Sequence, residues 1–139
     1  MRMELQATPQ EVMRAVEALK DFCRGRKIPE NAAFGLALAL EESGSNIVNH
    51  ALQRDPRQKF QLAVEHAGDS VIIELRDRGP AFDPTRAPAA AIGEDDDRAP
   101  GRWGVALVRR YMDEIHYLRD GGENVLRLTK RIGPTAGAN

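Results

Sequence analysis

A chain of 139 residues has room for one domain with a substantial core. Its 20 Lys and Arg nearly balance 21 Asp and Glu, for a formal net charge of −1, and no long basic block is present, which argues against nucleic acid as a direct ligand. The single cysteine, Cys23, forms no internal disulfide, the apolar run from Ala32 to Leu40 is far shorter than the roughly 20 residues of a bilayer span, and no secretory leader is visible, so a soluble cytoplasmic protein is expected.

Met1, Met3 and Leu5 alternate with polar residues and predict a short strand. Thr8 and Pro9 then supply a cap and a first helical residue. Val12, Ala15, Val16, Leu19 and Phe22 recur at helical spacing, and this helix is expected to end near Gly25. Pro29 opens a second helix, with Leu36, Leu40, Ile47 and Ala51 as its apolar stripe, running to about Leu52 before Asp55 and Pro56. Residues 59–66 and 70–77 predict two strands of an antiparallel hairpin around Ala67, Gly68 and Asp69.

From Gly79 to Gly101 the chain is rich in Pro, Ala, Gly and Asp and has no periodicity. Structureless segments of that length inside a domain are usually lids or binding loops. A third helix is expected over 103–115, then strands over 115–120 and 124–132 about a turn at Gly121 and Gly122, then a loose tail over 133–139. The order predicts an α+β fold: a two-layer sandwich with a mixed, mostly antiparallel sheet and its helices on one face.

Three segments carry candidate chemistry. In LALEESGSNIVNHA, Glu42 and Asn46 are four residues apart and project from one helical face, with Asn49 and His50 a turn further on. Gly44 interrupts that helix at a cost of roughly 1 kcal/mol, which suggests that something nearby needs the room. In DRGPAFDP, Asp77 follows an apolar strand; an acid there can accept from an exocyclic amine, while Gly79 lets a flat ring approach the backbone. Phe82 reads either as a lid anchor or as a core residue. In GRWGVALV, Gly101 and Gly104 leave bare amides where a helix begins, a setting that attracts phosphate. Each segment alone has an ordinary explanation as a polar helix face, a turn or a hinge. Their order and placement on helix, strand end and helix start agree with one another.

At these segments the sequence resembles the Bergerat-type, histidine-kinase-like ATPases, and more narrowly the stand-alone serine/threonine kinases that act as bacterial anti-sigma factors. The resemblance covers nearly the whole chain, with 1–132 as the ATP-binding domain and 133–139 as a flexible tail. It implies Glu42 as general base, Asn46 as a magnesium ligand, Asp77 as reader of the adenine amine and Gly79 as support for the ring. Asn49, His50 and Phe82 fall in the same nucleotide-binding boxes, and Gly101, Arg102, Gly104 and Val105 in the lid over the phosphates. Arg102 stands where many relatives carry a second glycine. The implied cofactors are ATP and Mg2+. The implied partners are a sigma factor, which is sequestered, and an anti-sigma-factor antagonist protein, which is phosphorylated on serine or threonine.

Two other readings remain at this level. One is an ATP-dependent binding clamp without transfer. The other is a histidine kinase catalytic fragment, ranked lower because no phosphoacceptor helix precedes the first strand. The apolar face from Val12 to Phe22 permits a homodimer, but covering the domain's own sheet explains it equally well. His50, His66 and His116 match no local metal-ligand spacing.

Overall fold

The computed structural model describes residues 1–86 and 102–133, with 102–105 described by their backbone alone. Five strands form one sheet: β1 (Arg2–Gln6), β2 (Lys59–Ala67), β3 (Ser70–Asp77), β4 (Glu114–Asp120) and β5 (Glu123–Arg131). Their spatial order is β1-β2-β3-β5-β4, and every pairing among the described residues is antiparallel, in keeping with the mostly antiparallel sheet expected. Among the described residues three α-helices, α1 (Pro9–Gly25), α2 (Glu30–Asn46) and α3 (Arg102–Tyr111), accompany the sheet in an α+β architecture.

The sequence accounts for most of these boundaries. Thr8 caps α1 as expected: its Oγ1 accepts from the Glu11 amide at 3.2 Å, and the Glu11 carboxylate reaches back to the Gln6 amide at 3.2 Å. The buried residues Val12, Ala15, Val16, Leu19 and Cys23 keep helical spacing. Gly25 is the last helical residue, but the left-handed position beyond it belongs to Lys27, with φ 55°. At the β4–β5 hairpin Gly121 and Gly122 both have positive φ, which the two-residue turn between Asp120 and Glu123 requires.

One sheet face meets the helices. Phe60, Leu62, Ile73, Leu75 and Leu128 are buried there with Leu19, Leu36 and Leu40 in a single core. The opposite face is polar, with Glu74 paired to Arg76 at 2.9 Å and to Arg127 at 3.4 Å. Because α2 lies between the other two helices, it is buried on several sides. A Cβ on Gly35 would lie 3.2 Å from Tyr111 of α3, and one on Gly44 would lie 3.2 Å from Val12 of α1. The room at Gly44 is therefore taken by a neighbouring helix.

Two elements depart from expectation. The second helical run does continue past Asn46, but Ile47–Ala51 is a π-helical turn. Helix α3 stops at Tyr111 instead of Ile115, because β5 captures the chain: the Asp113 amide donates to the Thr129 carbonyl at 2.8 Å, and its carboxylate accepts from the Arg131 amide at 2.6 Å. Glu114 and Ile115 therefore belong to β4. No helix among the described residues is long and apolar enough to cross a membrane.

Candidate nucleotide site

The end of α2 and the end of β3 face each other across a narrow cavity of about 20 Å³, lined by Ser43, Asn46, Asp77, Phe82, Pro84 and Asn124 among others. Two residues far apart in sequence, Asn46 and Asp77, are thus brought to one space. Both are nearly buried, at 6% and 3% exposure, which is costly for polar groups unless they are satisfied or used.

Asp77 is held from one side. Its Oδ1 accepts from the Gly79 amide and from Asn124 Nδ2, each at 2.9 Å. Its Oδ2 makes no hydrogen bond among the described residues and is, among them, an open acceptor. Gly79 has a packing role here: a Cβ would lie 2.4 Å from the Ala51 carbonyl oxygen, so only glycine lets this loop close on the π turn. The Asn46 carboxamide likewise has no hydrogen-bond partner among the described residues.

Glu42 precedes Ser43 on α2 and is half-buried, but it is not among the residues lining the cavity. Burial pushes its carboxyl above the ordinary value, and the neighbouring Glu41 adds to the shift. That is the direction that suits a general base working near neutral pH.

The π turn alters the stripe expected along α2. His50 stacks on Phe82, with ring centroids 5.6 Å apart and planes at 23°. Asn49 turns elsewhere: its Oδ1 accepts from Arg54 Nε at 2.8 Å, and it lines a separate groove with Thr8, Pro9 and Val48. A π turn has more residues per turn than the α spacing assumed, so position three beyond Asn46 swings off its face while position four, His50, stays near it.

Phe82 packs against the core. Its amide donates to Asn124 Oδ1 at 3.1 Å, and a single 3-10 turn over Pro84–Arg86 follows. Arg109 of α3 reaches across to the Thr85 carbonyl at 2.5 Å. Of the expected lid residues, Gly101 lies outside the described residues, as do the side chains of Arg102 and Val105; the backbone of Arg102, Gly104 and Val105 forms the start of α3.

Sequence reasoning missed Asn124, Tyr117, Arg119 and Ser43. Asn124 is a buried amide in a strand, where asparagine is uncommon, and that was the one signal available. The chemistry of the donor set fits an adenine nucleotide: an open carboxylate oxygen for an amine and an open carboxamide for a cation. The cavity itself is no larger than about one water, so a purine enters only when Phe82 and the 84–86 turn move. No group of three or more His, Cys, Asp or Glu among the described residues could hold a metal ion, so a cation beside Asn46 would take its other ligands from phosphate and water.

Known proteins resemble this chain over nearly its whole length. The family model for the histidine kinase-like ATPase domain matches residues 5–130. The serine/threonine-protein kinase BtrW of Bordetella bronchiseptica is 29% identical over 133 residues, covering 95% of this chain and 94% of that protein. Among solved structures, the SiaB–SiaC complex from Pseudomonas aeruginosa aligns with TM-score 0.71 at 12% identity, over 93% of this chain and 88% of the other. The RsbU and RsbW domains of Rv1364c from Mycobacterium tuberculosis align with TM-score 0.67 at 19% identity, over 95% of this chain and 32% of that one. At those identities the two structures speak for the fold alone.

Proposed function

The chain belongs to the histidine kinase-like ATPase domain family, and from that premise we propose that it is an anti-sigma factor with serine/threonine protein kinase activity. On this reading it phosphorylates an anti-sigma-factor antagonist protein and sequesters a sigma factor. The observation that carries the reading is the meeting of Asn46 and the open Oδ2 of Asp77 in one cavity. The likeness to BtrW, which extends over nearly the full length of both chains, favours serine or threonine as the acceptor.

The residues divide the work. Asp77 accepts from the exocyclic amine and so fixes the base. Asn46 offers its carboxamide oxygen to magnesium, which when bound offsets charge on the phosphates. Glu42, on the turn of α2 before Asn46, orients the acceptor hydroxyl and takes its proton. The bare amides at the start of α3, from Arg102 to Val105, together with Gly101, hold phosphate at the positive end of the helix. Residues 1–132 act as the ATP-binding domain, with 133–139 as a tail, in the cytoplasm.

Incubation with γ-labelled ATP, magnesium and a candidate antagonist tests the reading. Label is expected on serine or threonine of the antagonist, and Glu42→Ala is expected to reduce it by a factor on the order of 100 without loss of ATP binding. ATP binding and sigma capture without any transfer would replace the kinase with a clamp.

A further inference from the structure

An ionised aspartate offers two equivalent oxygens with about four acceptor sites. Within its own segment only the Gly79 amide engages Oδ1. The second donor to that oxygen comes from β5, where Asn124 lies directly opposite Asp77 in the strand register and is 4% exposed. Its Nδ2 donates to Asp77 Oδ1 and to the Pro80 carbonyl, each at 2.9 Å. Its Oδ1 accepts from the Phe82 amide at 3.1 Å, from Arg119 Nη1 at 3.2 Å and from the Tyr117 hydroxyl.

Acceptors surround one end of this carboxamide and donors the other, so its orientation is fixed; a flipped amide would oppose four of its five partners, the Tyr117 hydroxyl alone being able to accept as well as donate. With the Gly79 amide also on Oδ1, that oxygen of Asp77 is fully engaged. Arg119 braces the same loop a second time through the Gly79 carbonyl at 2.7 Å.

We propose that Asn124 is a positioning residue that determines base specificity. It occupies Oδ1 of Asp77 and leaves Oδ2 as the one oxygen presented to the ligand, an acceptor that rewards a 6-amino purine and repels a 6-oxo purine. The inference rests on the adenine-nucleotide reading of the site. Without the Asn124 donor only the Gly79 amide holds Oδ1, so the carboxylate is less firmly fixed, water competes for it and the advantage of ATP shrinks. Sites built around a buried hydrogen bond discriminate strongly against a ligand that leaves it unmade.

Calorimetric titration of ATP and of inosine triphosphate against the whole chain tests this, with thermal melts to establish folding. Wild type is expected to prefer ATP by a factor on the order of 100, and Asn124→Ala to cut that preference at least about tenfold. Tyr117→Phe, which removes only one donor to Asn124, is expected to shift the ratio less and in the same direction, and it carries the test if the alanine variant does not fold. In Asn124→Asp a carboxylate oxygen faces Oδ1, so the preference is expected to be weak at alkaline pH and to recover in acid, where a shared proton restores the bond. A merely structural role lowers both affinities in parallel, and an unchanged ratio in the folded variants overturns the proposal. Equal affinity of wild type for the two nucleotides overturns it too, while leaving nucleotide binding intact. No binding of either nucleotide overturns the ATP reading, and the proposal with it.

Discussion

Gly79 and Ala51 approach so closely that a Cβ on the glycine would lie 2.4 Å from the alanine carbonyl oxygen. The contact joins the loop after β3 to the end of the π turn and so sets the spacing between Asp77 and α2. Gly79→Ala is expected to cost about 1–3 kcal/mol and to weaken ATP binding, because the loop must move off the helix end. Gly25 is the control. Nothing lies within 4 Å of a Cβ there, so Gly25→Ala is expected to be neutral or to stabilise by up to ~1 kcal/mol. Denaturant melts and calorimetry check both.

Gly44 makes a different prediction. Its close neighbour is Val12 Cγ1, and the helix propensity gained by alanine opposes that contact. Gly44→Ala is expected to change stability by less than about 1 kcal/mol and leave nucleotide affinity unaltered. A clear loss of affinity in a folded variant would mean that the ligand needs this space after all.

Glu42 titrates above an ordinary carboxylate, through burial first and Glu41 second. Between the ordinary value and the raised one, the folded chain binds more protons than the unfolded chain, so stability falls as pH rises through that window. Glu42→Gln is expected to lack this decline while losing phosphoryl transfer. In the pH–rate profile the acidic limb should follow the raised Glu42 value, and Glu41→Gln, by removing a like charge, should move that limb to lower pH.

Phe82 and His50 hold the loop over the cavity by stacking. Such a pair contributes about 0.5–1.5 kcal/mol, and a purine needs the loop displaced. Phe82→Leu is therefore expected to speed association of a fluorescent adenine nucleotide by about twofold to tenfold, as the open arrangement becomes more populated. Stopped-flow mixing measures it; a slower or unchanged association rate in a folded variant refutes the gating role.

Local patterns decided much of this molecule before any tertiary contact. Thr8 and Pro9 started α1, alternation marked β2 and β3, and paired glycines closed the last hairpin, because caps, strand periodicity and positive-φ turns act over a few residues. The segments bearing Glu42, Asn46 and Asp77 were legible for the same reason: each is a short run with one chemical character. The tertiary structure decided what depends on distant partners. Pairing of β3 with β5 spans 47 residues from Asp77 to Asn124, and it alone brought that carboxamide to the aspartate. Ladder bonds from β5 ended α3 early, Asn49 on the π turn faced Arg54, and Val12 claimed the room at Gly44. Periodicity along a chain specifies which face of an element is buried; it holds no information on which other element arrives there.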